Sequence, residues 1–107
     1  MFKFACAVVT LHRRLYRSLP ELRSLTSQAM RAATSIGANL EEADAGQSRA
    51  DFISKCTISL KEARETRYWL RILHAAQSTE KIEALIGEST EIIAILTTIV
   101  RKTRERT

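Results

Sequence analysis

SLTSQAMRAATSIGANLEEADAGQSRADFISKCTISLKEARETRYWLRIL, from Ser24 to Leu73, decides the fold. Leu25, Ala29, Ala32, Ile36, Leu40 and Ala43 recur every three or four positions. Phe52, Cys56, Leu60, Ala63, Leu70 and Leu73 take up the same period after a polar break. That spacing gathers the apolar side chains on one face of a helix. Gly46 marks the break, so two long helices form a hairpin about a short turn. Polar residues follow the same period beside the stripe: Gln28, Arg31, Ser35, Asn39 and Glu42 on one helix, Glu62, Glu65 and Thr66 on the other.

Outward from the hairpin the pattern continues. Phe4, Val8, Leu11 and Leu15 predict a helix over about residues 3–18. Pro20 ends it and suits the first turn of the next helix, about 21–43, whose stripe begins at Leu22. Gly37 inside that helix costs about 1 kcal/mol, which a close helix–helix approach would justify. Ser48 is the expected N-cap of a third helix over about 49–75, with Asp51 in the capping-box position. Ser78 or Thr79 caps a fourth, about 80–104, through Ile82, Leu85, Ile92, Leu96, Ile99 and Val100. Gly87 is expected to divide it into a short and a long piece. Four helices with short connections predict an all-α, up-down-up-down antiparallel four-helix bundle, one domain over residues 1–107.

Composition agrees. The 107 residues are 45% hydrophobic and 27% charged, with only 3 Gly and 1 Pro, which favours long helices over strands and turns. No run approaches the ~20 apolar residues of a membrane span, so no membrane partner is expected. Residues 1–11 resemble a short signal peptide, but His12, Arg13 and Arg14 follow where a cleavage region is small and neutral. A first helix fits better. Cys6 and Cys56 both fall on apolar faces and read as buried free thiols of a reducing, cytoplasmic compartment.

Catalytic constellations are wanting. Glu42, Glu62 and Glu65 with His12 or His74 are the material for acid–base or di-metal chemistry, but the four-helix di-metal pattern needs Glu-x-x-His, which the chain lacks. There is no Cys-x-x-Cys, no glycine-rich phosphate loop, and no base beside Ser35 to make it a nucleophile. The expectation is a protein that is not an enzyme and needs no metal or cofactor. Antiparallel pairing about Gly46 instead sets opposite each other positions whose numbers add to about 93. Arg31 then faces Glu62, Gln28 faces Glu65, and Asn39 falls near Ser54 and Lys55. Gln28, Arg31, Ser35, Asn39, Glu62 and Glu65 are read as a structural polar network. Tyr68 and Trp69 suit packing better than base stacking.

The formal net charge of +5 fits contact with nucleic acid or another acidic surface. Two groups of cations carry it. The tail residues Arg101, Lys102, Arg104 and Arg106 share one end of the bundle with Glu41, Glu42, Asp44 and Asp51. There they screen carboxylates that lie badly at a helix C-terminus. Arg13, Arg14, Arg17, Arg23, Arg67 and Arg71 gather toward the opposite end and are the better candidates for phosphate contact. The alternative is a solvated charged rim on a structural or protein-binding module.

The segments SQAMRAATSIGANLEEA, SRADFISK and LKEARETRYWL together resemble the small four-helix-bundle proteins of the 23S ribosomal RNA intervening-sequence family. Gln28, Arg31, Ala32, Ser35, Ile36, Asn39 and Glu42 carry the likeness, then Ser48, Asp51, Phe52 and Lys55, then Lys61, Glu62, Ala63, Glu65, Thr66, Tyr68, Trp69 and Leu70. A relative in this fold is the accessory variability determinant of diversity-generating retroelements, a basic, barrel-like pentamer that binds nucleic acid and a reverse transcriptase. The resemblance therefore implies a homopentamer of four-helix protomers without enzyme activity, with RNA or DNA and a protein such as a reverse transcriptase as partners. The chain departs from the family where many members have Asn-Ile-Ala-Glu-Gly. Here the run is Asn39-Leu40-Glu41-Glu42-Ala43, Gly is delayed to 46, and the basic residues of the turn are reduced to Arg49. That directs attention to the other end of the bundle and to the tail.

Overall fold

The computed structural model describes residues 1–45 and 48–106. Helix α1 spans Phe2–Ser18, α2 Arg23–Asp44, α3 Arg49–Ala76 and α4 Glu80–Glu105. Gly46 and Gln47, where the hairpin turn is expected, lie outside the described residues. The expected helices are all present, and two joints differ in detail. Leu19 leaves the helix with extended φ −131°, as the residue before a proline must. Pro20–Leu22 then forms a short 3-10 turn, so α2 proper starts at Arg23, not at residue 21. Gly87 does not divide α4, which runs through it unbroken. Flanking turns of good helix formers outweigh the propensity cost of one glycine, about 1 kcal/mol.

Both expected caps are made. Ser48 Oγ accepts from Asp51 N at 3.1 Å, and Thr79 Oγ1 accepts from Ile82 N at 3.1 Å. Ser78 instead donates back to His74 O at 2.8 Å, closing α3 while its neighbour opens α4.

The helices pack into an elongated body of 48 × 20 × 19 Å. The α2–α3 contact is the most extensive, followed by α3–α4 and α1–α2, while α1 and α4 touch only lightly. One core runs through Phe4, Val8, Leu11 and Leu15 of α1, Ala29, Ala33 and Ile36 of α2, Cys56, Ala63, Leu70 and Leu73 of α3, and Ile82, Leu85, Leu96 and Val100 of α4. Where α2 meets α3 the buried residues are small. Ala29, Ala32 and Ala33 lie on one helix, Ser59 and Ala63 on the other, which lets the two backbones approach closely. Ser59, fully buried, donates its hydroxyl to Ile36 O on α2 at 2.8 Å. Leu25, Leu40, Phe52 and Ile99, expected in the stripes, pack on the margin of this core.

Two further expectations are corrected. A Cβ on Gly37 would meet nothing within 4 Å, so no close approach inside the protomer requires that glycine. Cys6 is exposed, because two residues at about 100° each carry it from Phe4 to the far side of α1; Cys56 alone is the buried thiol. Among the described residues no helix is long and apolar enough to cross a membrane.

Candidate nucleic-acid interface

The polar seam forms where α2 and α3 lie side by side. Arg31 Nη1 donates to Glu62 Oε2 at 3.1 Å, the pairing that the hairpin register predicts. Its Nη2 donates to Glu65 Oε2, and its Nε to Gln28 Oε1 at 3.1 Å. Gln28 therefore joins the seam through Arg31, the same side chain that holds Glu65. Trp69 Nε1 adds a bond to Glu65 Oε2 at 3.1 Å. The Glu62 side chain is 12% exposed and that of Arg31 49%, so the acid is the enclosed partner. Ser35 and Asn39 are not part of this clasp. Ser35 Oγ donates to Arg31 O and Asn39 Nδ2 to Ser35 O, both along their own helix. Short polar side chains on a helix reach the carbonyl four residues back more easily than a neighbouring helix. The seam uses neither histidine. His12 Nδ1 and His74 Nδ1 are buried and make no hydrogen bond to the described residues.

The candidate phosphate-binding cations separate into distinct settings. Arg13, Arg14 and Arg17 line a shallow groove with Thr10, His12, Tyr16 and Ser18, all of them α1 residues. Arg14 also lines, with Gln77, Thr79 and Lys81, a gap toward the α3–α4 connection. Arg23 is engaged elsewhere. Its Nε donates to Tyr16 O at 2.7 Å and its guanidinium lies 4.5 Å over the Tyr16 ring, which closes the end of α1. Arg67 is half-buried and Arg71 exposed on α3, and neither lines the α1 groove.

At the other end, Arg49 Nη1 donates to Arg106 O at 2.9 Å and ties α3 to the tail. Lys55 is the cation bonded to Glu42, at 2.8 Å. Arg101 lies 3.8 Å from Glu105, Lys102 is exposed, and Arg104 Nη2 reaches Thr57 Oγ1 at 3.5 Å. Arg101 and Arg104 share a groove with Arg64 of α3, a residue outside the cation clusters expected from the sequence. A signal for it is present: Leu60, Arg64, Arg67 and Arg71 recur at spacings of four and three, which marks one stripe of α3.

An apolar groove opens between α1 and α2, lined by Phe2, Ala5, Cys6, Val9, Gly37 and Leu40 among others. Phe2 is 79% exposed within it. Burial, and after it the nearby charge of Asp44, pushes the Cys56 thiol above its ordinary pKa.

Comparison with known proteins agrees with this architecture. A crystal structure of a protein with unknown function from the S23 ribosomal protein family of Bacteroides thetaiotaomicron superposes with a TM-score of 0.86. It is 42% identical, and the match covers 92% of this chain and 93% of that one. Among curated proteins none matches significantly. The model of the family described as 23S rRNA-intervening sequence protein matches residues 1–98, nearly the whole chain. With four helices in the expected order and the Arg31 seam in place, the chain belongs to the 23S rRNA intervening-sequence protein family.

Proposed function

We propose that this protein is a non-catalytic, homo-oligomeric adaptor that contacts RNA or DNA through its exposed arginines. One observation carries the proposal: the side chains of exposed Arg13, Arg14, Arg17, Arg64 and Arg71, and of half-buried Arg67, have no hydrogen-bond or ion-pair partner among the described residues. Guanidinium groups left unpaired on a protein of net charge +5 present a positive field to polyanions. Paired acids, by contrast, are drawn into the seam, where Arg31 neutralises Glu62 and Glu65. No step of a reaction is assigned to any residue, and no cofactor is invoked.

Self-association is supported by the apolar groove beside Phe2 and Gly37. A largely exposed phenylalanine beside a glycine, which adds no side-chain bulk, is suited to cover by another copy of the chain, and the family likeness points to a pentamer. Each added protomer repeats the basic surface, so the field grows with assembly. The two free thiols suit a reducing, cytoplasmic setting.

Fluorescence anisotropy with short RNA and DNA across a salt series tests the proposal. Binding is expected to weaken steeply with salt, at about 0.7–0.9 in the log–log slope per phosphate neutralised. Absence of binding at low salt would remove the nucleic-acid role. The same groove between α1 and α2 would then favour the second reading, a structural or protein-binding module whose charge serves solubility.

A further inference from the structure

We infer that the groove between α3 and α4, walled by Arg64, Arg101 and Arg104, is where a nucleic-acid phosphodiester backbone is held. This rests on the nucleic-acid function proposed above and fixes where on the protomer the contact is made. The groove draws on two helices: Arg64 comes from α3, Arg101 and Arg104 from α4, and Leu60 and Val100 form a buried floor between them. Arg13 and Arg17 differ in this respect. Their groove is lined by α1 alone, and any amphipathic helix turns its cations outward in that way, while Arg14 also lines a smaller gap with Lys81 of α4.

Bringing the cations of two helices together works against folding, because like charges repel more as they approach. Among the described residues Glu105 is the carboxylate that lines the groove, 3.8 Å from Arg101, and Arg64 has no ion-pair partner among those residues. The arrangement is therefore one that stability alone disfavours, as is common where a surface is kept for a ligand. Arg104 is also steered. The Thr57 hydroxyl donates to Ile53 O at 2.7 Å, which leaves its oxygen free to accept from Arg104 Nη2 at 3.5 Å. Guanidinium forks match the paired oxygens of a phosphate, and an apolar floor under them focuses the field.

The test uses the full chain, a fluorescein-labelled single-stranded RNA or DNA oligonucleotide, and anisotropy across a salt series. Arg64→Gln with Arg101→Gln is expected to weaken binding about tenfold or more and to lower the salt slope by about 0.7–0.9 for each phosphate no longer neutralised. Thermal melts of the same variant are expected to show an unchanged or higher Tm, which separates weakened phosphate binding from unfolding. Arg64→Lys should recover part of the affinity, since it keeps the charge and loses the fork. Arg13→Gln with Arg17→Gln, which lowers the general positive field without touching the groove, should weaken binding by clearly less than the Arg64 and Arg101 variant does. Loss of binding in the Arg13 and Arg17 variant, with none in the Arg64 and Arg101 variant, would overturn this placement while leaving the nucleic-acid function standing. No binding by the parent chain would overturn both. If the Arg64 and Arg101 variant lost affinity for a polyglutamate peptide and kept it for the oligonucleotides, the groove would belong to an acidic protein partner instead.

Discussion

Arg31 holds two carboxylates and a glutamine amide with one side chain, and the geometry sets the cost of losing each partner. Glu62 is the more enclosed acid, but Arg31 is half in solvent and would keep Glu65, so screening limits the effect. Glu62→Ala is expected to lower stability by about 1–2 kcal/mol, whereas Glu105→Ala, on the exposed tail, stays within about 0.5 kcal/mol. Chemical melts of the two variants decide it, and equal effects would reduce the seam to surface decoration. The cysteines make a second contrast. Cys6 is exposed and Cys56 buried, so a thiol reagent should label one cysteine quickly in the native protein and the second only on unfolding. Because the raised pKa of Cys56 favours its protonated form in the folded state, its contribution is complete below the ordinary thiol value. That contribution is lost as the pH climbs through the raised one.

At the level of the helices, the two described glycines behave alike in space and differ in setting. Neither Gly37 nor Gly87 would crowd a neighbour if given a Cβ, and both sit inside continuous helices. Gly87→Ala should therefore stabilise the chain by about 0.5–1 kcal/mol, read as a rise in denaturation midpoint. Gly37→Ala should do the same for the protomer. Gly37 also lines the apolar groove, so a larger residue there tests assembly without touching the core. Helix identity is legible because four apolar stripes hold their period, and the caps because Ser48 and Thr79 precede them. The start of α2 is less so, since the dihedral choice between a 3-10 and an α turn after Pro20 depends on how Leu22 packs against α1, which periodicity does not encode. Cys6 is hidden for a related reason. Residues 4–8 (Phe-Ala-Cys-Ala-Val) are apolar on every side of the helix, so local composition does not show which side faces inward.

For the whole molecule, the seam is legible and the basic surface only half so. A hairpin register is local and predicts Arg31 opposite Glu62, whereas the meeting of Arg64 with Arg101 and Arg104 depends on how α4 settles against α3. Arg23 shows the opposite case: it looks like one more outward charge in the sequence, yet its donor closes the end of α1 on Tyr16. Assembly is tested by light scattering: a mass near five protomers is expected, and Phe2→Asp, which puts a charge in the apolar groove, should shift the population to smaller species without unfolding the helices. A monomeric parent chain would remove the oligomer from the proposal. The chain has a single tryptophan, and the indole N–H of Trp69 is bonded to the same Glu65 that Arg31 clasps. Its emission is thus an optical gauge of the α2–α3 joint: a spectrum that reddens before ellipticity falls would show the two central helices parting while each is still wound.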